Sequence, residues 1–323
     1  MEKIKGFIFL SGAFMLAGTS VVAARYVSGV LGTFTIAAVS LLFALTALLI
    51  ASRKHVMNTL RNMPVKDTFI LILQALCGIF LFRMFLLKGL LYTSSGEAGI
   101  LTGVTPAATV LLSKLFLKES ICVKSILGIL STIAGIVLLQ GFIGPEGFQA
   151  RHLAGNLLVI CAAICESLFN VLSRISSIRS TASSRKSPLN PLVQTTIVSG
   201  IAFILCIIPA LYENPLPTLL SLGFREWFML IWYGLFITAL AFILWYAGIK
   251  RCNASTAAAF SGMMPFTALI LSILFLGEQS GWRQWLGALL VIMGMVIIGI
   301  NQQKSGIRHK YLASRTTKIN NLR

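Results

Sequence analysis

Ten predominantly apolar stretches follow one another along the chain, parted by short polar or basic segments. They lie near residues 6–24, 33–51, 68–90, 95–117, 122–142, 153–173, 191–212, 226–249, 254–276 and 282–301. A helix rises about 1.5 Å per residue, so about 20 such residues cross the hydrocarbon core of a bilayer. The pattern predicts an all-α integral membrane protein with ten transmembrane helices. The first stretch follows residues 1–5 and contains VVAAR at 21–25, which resembles the cleavage site of a signal peptide. The internal repeat described below requires this helix, so it is read as a retained span.

Composition narrows the class. Apolar residues make up 57% of the 323 and charged residues only 11%, too few to cover a soluble fold of this size. Disordered, collagen-like and disulfide-framed chains are excluded on the same ground. The six cysteines, Cys77, Cys122, Cys161, Cys165, Cys206 and Cys252, sit mostly inside apolar runs, where a thiol behaves as a small hydrophobe. They suggest neither a metal site nor a disulfide set.

The net charge of +18 acts as a topology signal rather than as a nucleic-acid footprint. With the N-terminus cytoplasmic, 20 Lys and Arg fall on the inner segments and 5 on the outer ones. Both termini are therefore expected in the cytoplasm. Tyr212, Trp227, Trp282 and Trp285 then lie at outer span ends, as an aromatic belt requires. The basic segment 302–323 becomes a cytoplasmic tail facing anionic lipid.

The chain also repeats itself. Residues 82–141 align without gaps on 241–300, an offset of 159, with 16 identities in 60 positions. Gly103/Gly262, Pro106/Pro265, Ser113/Ser272, Glu119/Glu278, Gly128/Gly287 and Gly135/Gly294 fall in register, which apolar bias alone does not produce. Two five-helix halves follow, 1–143 and 152–301. Because five is odd, the second half enters the membrane from the opposite side. This inverted-topology repeat is an architecture of secondary transporters.

A mid-helix proline, then LLSKLFLKE or LILSILFLGE, then a glycine-spaced helix, twice in ten spans, resembles the EamA-type members of the drug/metabolite transporter superfamily. The resemblance covers about residues 1–301. It implies a central cavity lined mainly by spans 1, 3, 4, 6, 8 and 9, with spans 5 and 10 at the periphery. It implies transport of amino acids, other metabolites or toxic compounds, and leaves the substrate open.

Candidate residues are the polar groups inside spans. Glu166 lies near the middle of the sixth span, where an ionisable group costs about 2.5–3.5 kcal/mol on insertion scales. Such a group faces the bundle interior, takes up a proton or finds a partner, which suits proton coupling. Asn170 and Ser173 share its helical face. A protonated Glu166 bonded to a neighbouring helix is the structural alternative. Arg83 in the third span has three options: an acidic partner such as Glu166, an anionic substrate group, or outward snorkelling.

Thr102, Thr105, Thr109 and Ser113 line one face of the fourth span beside Pro106, and Pro265 is the matching kink in the ninth. A proline removes a backbone hydrogen bond and frees a carbonyl. Together these features suit a cavity wall, while Ser and Thr also serve helix packing. Trp245 and Tyr246 offer rings for stacking on substrate or for packing. Glu97 completes a capping box with Ser94, and Asn253 stands at the equivalent cap position. Glu119 and Glu278 are expected to order loops or gate span ends. The seven-residue glycine spacings permit close helix approach, between the halves or in a homodimer.

No hydrolase, Walker or zinc-protease motif occurs, and His55, His152 and His309 all fall in predicted loops. The expectation is a plasma-membrane secondary transporter, not an enzyme, with a small-molecule substrate, no cofactor, no metal and no nucleic-acid partner. An uncoupled facilitator and a non-transporting scaffold or receptor subunit are the alternatives.

Overall fold

The computed structural model describes residues 2–61, 63–117, 123–139, 150–182, 190–249, 260 and 263–298. Glu119, Asn253, the 302–323 tail and the side chain of Tyr246 lie outside the described residues. Among the described residues there is no strand. In lipid each backbone polar group needs a partner within the protein, and a helix provides it locally.

The first two helices are α1 (Glu2–Ser28) and α2 (Thr33–Arg61). The third apolar stretch forms α3 (Val65–Ala75) and α4 (Phe82–Gly89), joined by a π-helical segment over Leu76–Leu81. The fourth forms α5 (Ser95–Thr102) and α6 (Thr105–Leu117). Then come α7 (Val123–Leu139), α8 (Ala150–Ala182), α9 (Pro191–Tyr212) and the short α10 (Pro215–Leu220). A second π-helical segment, Trp232–Leu240, joins α11 (Phe224–Ile231) to α12 (Ala241–Ile249). The last two are α13 (Met263–Leu276) and α14 (Trp282–Ile298). Seven of the ten stretches carry helices long and apolar enough to cross a membrane; Val123–Leu138, Met263–Leu276 and Trp282–Ile298 are shorter apolar helices, each abutting residues outside the described set.

Two features depart from ten simple rods. The π-helical segments lie at equivalent repeat positions, since adding 159 to 76–81 gives 235–240, inside Trp232–Leu240. Pro106 does not bend a continuous helix. Gly103 and Val104 leave the α-helical pattern, and Pro106 sits at the second residue of α6, where its missing N–H costs little. Pro265 lies in α13, whose preceding residues 261–262 fall outside the described set.

The main core gathers α1, α4, α5, α8, α13 and α14 around Ala24, Leu90, Leu101, Val159, Leu269 and Val291. A second cluster packs α2 and α3 on α9 through Leu41, Leu71, Val198 and Cys206. Small residues set the closest crossings. A Cβ on Gly128 would lie 2.8 Å from the Gly294 carbonyl, and one on Gly135 would lie 2.7 Å from that of Gly287. The glycine seams thus pack α7 on α14 within the chain, and the two helices run antiparallel. Gly89 meets the Gly155 carbonyl at 3.0 Å in the same way, seating α4 on α8.

Candidate functional site

The break between α5 and α6 lies against the middle of α8. Pro106 cannot donate to the Thr102 carbonyl, so the fourth apolar stretch loses a backbone bond at this depth. Across the break, Thr105 Oγ1 donates to Glu166 Oε2 at 2.8 Å. Ser167 Oγ lies 2.9 Å from the Thr105 carbonyl and 2.7 Å from that of Ala163. Thr109 Oγ1 also donates to the Thr105 carbonyl, at 2.8 Å. Glu166 is half-buried, and among the described residues no cation faces its carboxylate. Asn170 follows one turn along the same face, and the Ser173 hydroxyl beyond it is buried without a partner. Of the threonine row, Thr105 alone is aimed at Glu166. Thr102 turns back to the Gly99 carbonyl at 2.6 Å.

Arg83 stands apart from this group. It is 5% exposed, and its guanidinium donates to Ser40 Oγ at 2.7 Å, to the Ala37 carbonyl at 3.3 Å and to Thr238 Oγ1. The Tyr233 ring stacks 4.6 Å from its Cζ. All four partners lie on α2 or on the second π-helical segment, where the altered winding brings Thr238 Oγ1 within 2.9 Å of the Tyr233 carbonyl. Among the described residues no carboxylate pairs with Arg83, so the structure does not bring Arg83 and Glu166 together.

A further group of polar residues lies on α9, outside the residues singled out by sequence. Ile79, Phe169, Thr195, Val198, Ser199 and Phe242 border a narrow, mainly apolar crevice between the third, sixth, seventh and eighth apolar stretches. Phe169 lies three residues after Glu166 and meets Phe242 edge-on at 6.3 Å; Phe242 in turn meets Trp245 at 6.4 Å. Thr195 Oγ1 and Ser199 Oγ are buried and have no hydrogen-bond partner. The available signal was the polar run 194–199 of α9, QTTIVS, whose i, i+4 hydroxyls share a face. Nearby, Gln194 Nε2 donates to Gln74 Oε1 at 2.9 Å, leaving Gln74 Nε2 buried and unpartnered.

Of the acidic residues near helix ends, Glu278 and Glu213 are spent on backbone, and Glu97 on side chains. Gly277 adopts φ 65°, a left-handed conformation that ends α13, and the Glu278 N–H returns to the Ser272 carbonyl at 3.2 Å. That turn delivers the Glu278 carboxylate to the start of α5, where it accepts from the N–H groups of Ser95 and Gly96, each at 2.8 Å. Ser94 Oγ accepts from Glu97 N–H at 3.2 Å, the expected cap. The Glu97 carboxylate, however, reaches outward to Asn156 (3.3 Å), Gln284 (3.3 Å) and His152 (3.4 Å). Glu213 caps α2 through the N–H groups of Phe34 and Thr35. Cys77, Cys161, Cys165 and Cys206 are free thiols, and among the described residues no group of three acidic, His or Cys side chains could hold a metal.

Comparison with known proteins agrees with this architecture. Residues 4–140 and 153–300 each match the EamA-like transporter family. The uncharacterized transporter YetK of Bacillus subtilis (strain 168) is 30% identical, over 94% of this chain and 89% of the relative. The aromatic amino acid exporter YddG of Ancylobacter novellus is 25% identical, over 69% of this chain and 71% of the relative. One solved crystal structure superposes with a TM-score of 0.60 at 19% identity, covering 93% of this chain and 98% of the other, and so shows the fold.

Proposed function

Because the chain belongs to the EamA-like transporter family, we propose that it is a proton-coupled secondary transporter exporting a small amino-acid-like or amphipathic metabolite by alternating access. It is a multi-pass membrane protein, and its relatives are transporters rather than enzymes. On this reading ten spans form two inverted five-helix halves in the plasma membrane, with both termini cytoplasmic. The antiparallel glycine seams of α7 and α14 and the π-helical segments one repeat apart support the inverted arrangement. The 20-to-5 distribution of basic residues supports the orientation.

One observation carries the mechanism. A carboxylate sits at mid-span beside a broken helix, with one hydroxyl donor and open acceptor positions. Broken helices at the meeting of two repeats form the ion and substrate sites of such transporters. The free positions on Glu166 take a proton or a substrate ammonium, and the two exclude each other, which couples their movements in opposite directions. Thr105 holds the carboxylate on the α5–α6 break, so the exchange is felt where the fourth apolar stretch leaves the helical pattern. A charge crossing 100 mV supplies about 2.3 kcal/mol, or roughly 50-fold accumulation. The amino-acid character is supported by the name of the Ancylobacter relative.

The test is flux into proteoliposomes under an imposed pH gradient, with substrate chosen by metabolite profiling of cells lacking and overproducing the protein. Glu166→Gln is expected to abolish the gradient-driven component while membrane expression stays intact. Unchanged driven flux in the variant would leave an uncoupled facilitator as the better reading.

A further inference from the structure

Three carboxylates at one end of the bundle each cross from one half of the chain to the other. Glu213 and Glu278, in the second half, accept from backbone N–H groups at the starts of α2 and α5 in the first. Glu97, in the first half, meets Asn156, His152 and Gln284 in the second. Tyr26 Oη adds a fourth crossing, donating to the Phe275 carbonyl at 2.6 Å. On the orientation given above this is the outer end, so halves that rock apart to open outward must break these contacts.

One of the four responds to pH. Imidazole is the side chain that takes up its charge between about pH 8 and about pH 5. The His152 side chain is 38% exposed and that of Glu97 7%, so solvent reaches the imidazole while the carboxylate is buried. A proton on the imidazole turns the 3.4 Å contact between His152 Nδ1 and Glu97 Oε2 into a charge-assisted one. The other charged and titratable groups around the start of α8 are engaged elsewhere or distant. On α14, Arg283 lies over the Trp282 ring at 5.8 Å. At the end of α4, Lys88 stands 6.0 Å from the Phe34 ring centroid and Arg83 is bonded to α2, while Tyr92 lies against Gly155. Glu278 is taken up by Ser95 and Gly96. Lys66, Asp67 and Lys114 stand at the far ends of α3 and α6. On α8 itself, the side chain of Arg151 lies outside the described residues, and Glu166 is 14 residues further along, about 21 Å at the helical rise.

We propose that Glu97 and His152 form an acid-strengthened latch on the outer end: external acidification charges the imidazole and holds α5 on α8 and α14, and loss of that proton loosens the outer side. The inference rests on the alternating-access reading above and adds a regulatory titration at the surface to the one at Glu166. The geometry favours this direction of response. Asn156 Nδ2 and Gln284 Nε2 already donate to the Glu97 carboxylate at 3.3 Å each, so the carboxylate is held for a cation rather than for a neutral partner.

Spin labels on cysteines placed at Leu91 and Leu286, exposed positions on either side of the cluster, read its opening in the full chain freed of its other cysteines. The Glu166→Gln background removes the mid-span titration, and lipid nanodiscs remove any gradient. The ratio of separated to close labels should fall about threefold from about pH 8 to about pH 5.5. His152→Gln should abolish the change. His152→Lys, charged throughout this range, should give the low ratio at both pH values, which a merely structural role would not produce. An equal ratio at the two pH values with His152 in place overturns the latch. So does a response that survives His152→Gln, or a high ratio in His152→Lys. Coupling is decided separately by the Glu166 flux experiment: the latch can fail while coupled transport stands, and a response that follows His152 stands even for an uncoupled facilitator.

Discussion

The Arg83 site and the Thr195–Ser199 pair occupy matching places in the two halves, since adding 159 to Ser40 and Arg83 gives Ser199 and Phe242, and differ in how completely their polar groups are used. Arg83 is surrounded by Ser40, Thr238, the Ala37 carbonyl and the Tyr233 ring. Around Phe242, two hydroxyls have nothing to bond. The Glu97 and Glu278 clusters near helix ends resemble the first case: their carboxylates meet several donors each. Glu166, with Thr105 as its donor, resembles the second. Unused hydrogen-bonding capacity is costly in a membrane, so where it persists a ligand or proton is the natural claimant, and where it is saturated the group is holding helices. A strict two-fold object would partner the hydroxyls of both sites or of neither. The Arg83/Phe242 exchange makes the protein asymmetric, as binding an asymmetric molecule requires.

The largest effect on stability is expected at Arg83. Arg83→Ala removes a buried side chain and its bonds to α2 and the second π-helical segment, and should cost about 3 kcal/mol in a reversible unfolding assay. Arg83→Met keeps the volume and removes the charge. Because Ser40 and Thr238 retain their own backbone acceptors at 2.7 and 2.9 Å, it should cost only about 1 kcal/mol. If Met is tolerated for folding yet abolishes transport, Arg83 belongs with the unsaturated groups and binds an anionic substrate group. If flux survives in Arg83→Met, the guanidinium is a brace.

Glu278 should come next. Glu278→Ala orphans the N–H groups of Ser95 and Gly96 at the start of α5, a loss of about 1–2 kcal/mol, typical of a helix cap. Glu278→Gln keeps one acceptor oxygen and should recover about half. Thermal unfolding of the purified variants reads both. An equal loss in the two would show that the negative charge, not the acceptor, holds α5 in place.

The helices were legible in the sequence because lipid admits few alternatives. Apolar runs of spanning length marked the seven helices long enough to cross a membrane and three shorter apolar ones, and Ser94 was recognisable as a cap from its spacing to Glu97. Glu166 stood out because a carboxyl in an apolar run is conspicuous. The break at Gly103–Val104 was legible as a proline effect but not as a full interruption, which depends on Thr105 engaging α8. The π-helical segments left no pattern, since one extra residue per turn in an apolar run changes nothing in composition. Thr195 and Ser199 were missed because hydroxyls are common packing residues in membrane helices. What distinguishes these two is the lack of a partner, a property of the tertiary structure.

The smallest effect tests the saturated end of the comparison. Gln284→Leu removes one donor from the Glu97 carboxylate, which keeps Asn156 at 3.3 Å and His152 at 3.4 Å. Single side-chain hydrogen bonds within membrane bundles average about 0.6 kcal/mol, and the remaining donors share the load, so unfolding should shift by about that much or less. The contact joins α5 to α14, so it also bridges the two halves. A loss of about 2 kcal/mol would mean that the donors reinforce one another and that the cluster acts as one unit. In that case the number of bonds at Glu97 understates how firmly this end is closed, and opening it during transport would require the whole cluster to release together rather than bond by bond.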